Sequence, residues 1–264
     1  MMVKKLSCFL IAISSFGVLN AQEWTFIRKY NVEQKITACD IGSLGKLYVG
    51  TERGNVYSFQ MDGTPDAQFS SVVFQPVSDL DASNSRRIFV FYKSANQFEY
   101  LERFAAQPRT YHLEDFGISV AEHAAVDKDG TIWFLSGLTL SHVNVLNHSI
   151  LSERVLPDKL ISDSITDMAY NQQIILSDAQ NGISFWNGSD LTFDSRLTSG
   201  INSFDLFGNE LVALSDQGIL IYNQMTDEKE WIKPPRENFQ NVLKGQDVFY
   251  FIRGSEILLY RLKE

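Results

Sequence analysis

Asp79, Glu122, His123, Asp167 and Asn241 are the residues best suited to chemistry in this 264-residue chain. They offer carboxylates, an imidazole and an amide. Brought together, their oxygens would form a hard shell of the kind Ca2+ takes, whereas a transition metal would need His123. The same set could serve a metal-dependent hydrolase. A second group, Phe98, Tyr100, Phe104, Arg109 and Tyr111, lies within one aromatic stretch (96–117). Aromatic and arginine side chains dominate protein interfaces, so this stretch is a candidate partner-binding edge. Its rings would equally fill a core.

Other chemistries lack their residues. No Gly-x-Ser-x-Gly elbow and no Gly-rich phosphate loop occurs, which leaves nucleophilic hydrolysis and nucleotide binding without a site. His112, His142 and His148 are scattered without ligand spacing, and Cys39 has no histidine near it in sequence. The run "DKDG" (127–130) opens like a calcium loop but lacks the later oxygens and the closing Glu. It reads better as a turn between strands. No cofactor is implied by any motif, and Ca2+ is the one ion the acidic set would suit.

The elements that must position these residues are strands. Apolar runs of five to eight residues, rich in Val, Ile, Phe and Tyr, alternate with Gly, Asn, Asp and Ser. They also repeat. "KLYVGT", "RIFVFYK", "TIWFLSG", "QIILSD", "ELVALSD" and "DVFYFIRG", beginning at Lys46, Arg87, Thr131, Gln173, Glu210 and Asp247, each follow a polar turn. A polar-starting strand precedes each run and a third strand follows. Six units of about 40 residues with four strands apiece match propeller blades. The expected fold is therefore all-β, a single six-bladed β-propeller over residues 22–264. Its blades are placed at 36–69, 77–115, 120–156, 164–198, 200–234 and 238–264 plus 23–31. The last unit has only three strands, so the orphan "EWTFIRKY" (23–30) is expected to complete it and close the ring.

In such a ring the first strand of each blade starts at one mouth of a central channel. The third residues of these strands are Ala38, Asp79, His123, Asp167, Ser203 and Asn241. Polar residues at strand starts also simply solvate a channel, which is the plainer account of the set.

Residues 1–21 are expected to be a secretory signal peptide: Lys4 and Lys5, an apolar run from about Leu6 to Val18, and Ala21 at the cleavage point. That run is too short to span a bilayer. The formal net charge is −9, which argues against nucleic acid and anionic lipid as partners. Beyond the leader only Cys39 remains, so no internal disulfide is expected.

"GKLYVGTERGNVYSF", "DGTIWFLS" and "LVALSDQGILIY" resemble the hairpin of two-component-regulator and lyase-like propeller repeats, whereas the "GH…WD" signature of WD40 repeats is missing. The resemblance implies a propeller. Six-bladed sugar-lactone hydrolases hold a metal with a comparable Glu/Asn/Asp set, although Ala38 breaks the pattern here. Sialidases need several arginines in the funnel, and none of the six strand starts carries one. The favoured expectation is an exported, non-enzymatic interaction module, periplasmic or secreted, with a protein partner. A lactonase-like funnel enzyme and a small-ligand or glycan binder are the alternatives. A leader ending "LNAQ" on a disulfide-free single propeller is also similar to accessory subunits of the type 9 secretion translocon, including its plug, which implies an outer-membrane partner.

Overall fold

In a computed structural model, the residues described are 23–102, 108–157, 160, 164–178, 180–188, 191–193, 200–201 and 203–263. Residues 1–22, and with them the expected leader, lie outside this set. The described strands form six four-stranded antiparallel sheets. Five sheets are consecutive in sequence, and the sixth combines Trp24–Asn31 with three C-terminal strands. This is a six-bladed propeller closed by its N-terminal strand.

The innermost strands of blades one to six are Ile36–Ile41, Asp79–Asp81, His123–Val126, Ile165–Tyr170, Ser203–Phe207 and Asn241–Lys244. All six line a central channel. The second strands are buried on both faces, as in Ile174–Asp178 and Arg87–Tyr92. Each is covered by a neighbouring blade on either side, which explains their continuous apolar runs. The core accordingly divides into clusters between blades. Phe91 and Phe98 of blade two pack with Phe134 of blade three, and Val49 of blade one packs with Tyr250 and Ile252 of blade six.

Closure has its own chemistry. Trp24–Asn31 pairs with Glu256–Leu262 from Trp24↔Leu262 to Asn31↔Glu256, interrupted by a bulge between Phe26 and Arg28. The Trp24 ring meets Phe249 and Phe251 edge-on at 5.1 and 5.4 Å, and its Nε1 donates to Lys233 O at 2.7 Å. At the other end of the strand, Tyr30 Oη donates to Asp62 O of blade one at 2.6 Å. Gly63 makes this approach feasible: it has φ +76°, and a Cβ there would stand 1.8 Å from Tyr30 Oη. Blade six is thereby fixed to both neighbours.

Candidate functional site

The inner strand of each blade is a sheet edge, and its axial N–H and C=O groups have no strand to pair with. Buried backbone groups need partners. In the channel, a cavity of about 620 Å³, side chains supply them. Asp40 accepts from Ala82 N of the next blade at 2.5 Å and from its own neighbour Ile41 N at 2.7 Å. Asp167 accepts from Phe204 N at 3.2 Å and Met168 N at 2.9 Å, and Asp205 takes Lys244 N at 3.3 Å. Asp79 accepts from Ala124 N at 3.2 Å. In each case the donor sits one strand position further along in the following blade.

Carbonyls are met the same way. Thr37 Oγ1 donates to Val77 O at 2.8 Å, and His123 Nε2 lies 3.3 Å from Ile165 O, the contact of a ring N–H with a carbonyl. Blades five and six are joined by Ser203 Oγ on Asn241 Oδ1, and blades six and one by Asn241 Nδ2 on Cys39 Sγ at 3.3 Å. Every one of the six blade junctions thus carries at least one side-chain clasp at the channel wall.

Alternation along a strand puts its third and fifth residues on one face. The channel therefore has two polar layers. The first holds Asp79, His123, Asp167, Ser203 and Asn241; the second holds Asp40, Asp81 and Asp205. The second layer was missed by considering strand starts alone, although the same alignment carries it two residues on. Burial pushes the carboxyls up. Asp167 rises to about 7, with the charge of Asp79 adding to burial, and Asp205 rises to about 6. Asp40 is raised by burial and by the charges of Asp81 and Asp205. His123 behaves differently. Burial opposes its protonation, but Asp79, whose Oδ1 is 3.7 Å from Nδ1, together with Asp167, outweighs that and raises it.

The expected ligand set is only partly assembled. Asp79, His123 and Asp167 adjoin on three successive blades. Glu122 lines the same cavity but turns to its own blade, accepting from Gly137 N at 2.8 Å. Asn241 lies across the ring between Ser203 and Cys39. Among the described residues no group of three or more His, Cys, Asp or Glu could hold a metal ion. The five residues Asp79, Glu122, His123, Asp167 and Asn241 are thus not gathered into one shell, and the carboxylates of Asp79, Glu122 and Asp167 each accept a backbone N–H. Cys39 is half-buried, and desolvation in the channel wall raises its thiol.

The aromatic stretch is also corrected. Phe98 and Tyr100 are 0% and 2% exposed and belong to the core between blades two and three. Tyr111 is half-buried and stacks on Phe98 at 5.0 Å. These rings sit on the third and fourth strands of blade two, so they cannot present a partner-binding edge. Arg109 is exposed, and Phe104 lies outside the described residues.

No family model matches the chain, and no curated protein matches it. Solved structures do. Virginiamycin B lyase from Staphylococcus aureus superposes with a TM-score of 0.64 at 13% identity, covering 91% of this chain and 100% of the lyase. A catalytically inactive form of that lyase with quinupristin gives 0.67 at 13%, with the same coverage. The WD40 domain of Neurospora crassa Pan2 gives 0.62 at 7%, covering 93% of this chain and 97% of the domain. At such identities the likeness is one of fold, shared by an enzyme and a WD40 domain alike. The chain is a six-bladed β-propeller.

Proposed function

We propose that the protein is a non-enzymatic interaction module, a rigid propeller that docks on a protein partner outside the cytoplasm. The observation that carries this reading is the ring of clasps. The channel groups best suited to chemistry are spent on holding blades together, at all six junctions. Export is supported by the leader-like residues 1–21. The net charge of −9 favours a partner with a basic face. Within this reading, the leader ending "LNAQ" and the single compact propeller make an outer-membrane translocon of the type 9 secretion system the first partner to try.

The test is affinity purification of the tagged, processed protein from envelope extracts in mild detergent, read by mass spectrometry. A stoichiometric outer-membrane partner, with Gln22 as the first residue of the recovered chain, is the expected result. Recovery of the propeller alone overturns the docking reading.

One contact favours a second reading. His123 and Asp79, with Asp167 beside them, form an imidazole–carboxylate group in the channel. Such a pair can move protons, as a funnel hydrolase or lyase requires. If that reading holds, His123→Gln abolishes a turnover that the intact protein displays. Under the docking reading the same variant retains its partner and loses only stability.

A further inference from the structure

On the side of the ring that carries the turns from first to second strands, the channel continues outward into a cleft of about 480 Å³ between blades two and three. Asp81, Ser83, Val126 and Lys128 line both spaces, so they are continuous. The cleft gathers Arg86, Arg87 and Lys128. Among the described residues none of the three is in an ion pair, in a chain of net charge −9. Elsewhere, cations such as Lys46, Lys244 and Lys263 are paired with acids.

The acids of the cleft do not fill that role. Asp129 Oδ1 accepts from the backbone and hydroxyl of Thr131 at 2.8 and 2.6 Å, and Asp127 engages Tyr170. Asp81 uses only Oδ1, on Ser83, which leaves Oδ2 without a hydrogen-bond partner among the described residues.

A second, independent feature marks the cleft as built for a ligand. Tyr100 lines it at 2% exposure, and its hydroxyl is buried without any hydrogen-bond partner among the described residues. Buried hydroxyls in folded proteins are almost always bonded. Burial raises Tyr100 to about 12, so the hydroxyl keeps its proton as a donor. The guanidinium of Arg87 sits 4.1 Å from the centre of this ring. Gly130 gives it room: a Cβ there would come within 2.9 Å of Arg87 Nη2.

We propose that this cleft binds a small amphoteric molecule, its anionic group held by Arg86, Arg87 and Lys128 and its amino cation by Asp81. Three unpaired cations and a phenol donor select an oxyanion, a phosphate or carboxylate. The acidic layer just inside selects a positive charge at the other end. A plain anion would meet Asp81 and be repelled; a plain amine would meet the arginines. This site is independent of the docking reading.

The test is titration calorimetry of the processed, full-length propeller with three probes: phosphoethanolamine, inorganic phosphate and ethanolamine. Phosphoethanolamine is expected to bind roughly tenfold more tightly than either fragment, the increment of one added charge-assisted contact. Arg87→Gln should weaken phosphoethanolamine and phosphate together, whereas Asp81→Asn should reduce phosphoethanolamine to the level of phosphate. Lys128→Met, at the rim, repeats the anion test if Arg87→Gln fails to fold. Absence of saturable heat with all probes overturns the site, as does heat unchanged by both cation variants. Equal affinity for phosphate and phosphoethanolamine overturns its amphoteric character. Retention on phosphatidylethanolamine vesicles without binding of the free probe overturns the small-molecule ligand in favour of a lipid headgroup.

Discussion

Asp40, Asp79, Asp167 and Asp205 do for the channel wall what a neighbouring strand does inside a sheet: they accept from N–H groups that would otherwise be orphaned. Burial outweighs those hydrogen bonds, which is why the carboxyls of Asp167 and Asp205 rise from the usual 3.8 to about 7 and 6. The sign of the pH dependence follows. A carboxyl whose value is higher in the fold than in the unfolded chain favours the fold fully below pH 4 and loses that contribution as the pH climbs through 6 to 7. His123, also raised, acts in the same direction. The melting temperature should therefore fall between pH 5 and pH 8, by an amount on the order of 2–4 kcal/mol in stability at about 1.4 kcal/mol per unit. Asp167→Asn should flatten that slope; calorimetric melts across the range decide it, and a rise with pH contradicts the buried-acid account. A second chain of contacts lies outside the channel. Thr131 Oγ1 donates to Asp129, so His142 Nε2, 2.7 Å away, carries the proton and donates to Thr131. The imidazole then stacks on Trp133 at 4.1 Å. Thr131→Val should cost about 1–2 kcal/mol in urea unfolding and shift the His142 ring resonances; unchanged resonances would show that the chain does not hold His142. At this scale the sequence was a partial guide. It located Asp79, His123 and Asp167 and weighed ligands against plain channel solvation, but not the clasps between blades, because residue type says nothing about which backbone group a carboxylate will meet.

At the scale of elements, the closing strand is the point where one substitution has the widest effect. Trp24 seals the outer core of blade six and ties it to the chain leaving blade five. Trp24→Ala should lower the unfolding free energy by roughly 2–3 kcal/mol, somewhat below a fully buried tryptophan because its ring is partly exposed. Denaturant midpoints measure this. A loss under about 0.5 kcal/mol, the range of ordinary surface changes, would mean that closure does not depend on this ring. Gly63→Ala attacks the same strand from blade one, since the new methyl displaces Tyr30. It should destabilise more than Tyr30→Phe, which removes only the bond to Asp62 O. The strands themselves were legible in sequence because their apolar runs are bounded by turn residues. Phe98 and Tyr100 stood open between interface and core for a related reason. A third strand covered by the next blade has the same aromatic content as an interface, and only packing tells the two apart.

For the whole molecule, six repeats and a missing last strand were enough to derive the ring, because a closed ring buries both faces of every second strand and lets the N-terminal strand complete the last sheet. The cleft between blades two and three was not legible. It depends on which turn residues come together across a junction, a matter of tertiary position rather than period. The acidic charge of the whole, −9, gives a prediction at this scale too. The protein should show no retention on heparin or duplex DNA at physiological salt, since the net charge repels a polyanion and the three cations of the cleft are too small a footprint to hold one; retention there would contradict the basic partner face inferred from that charge.

The pairing of Trp24–Asn31 with Glu256–Leu262 also has a consequence in time. A ribosome delivers the strand Trp24–Asn31 more than 220 residues ahead of its partner. The early strand must wait, unmatched, while five blades assemble behind it. The ring is thus a latch that engages only once Glu256–Leu262 has emerged, and a chain cut short before Glu256 leaves an unpaired strand that proteases and chaperones can read.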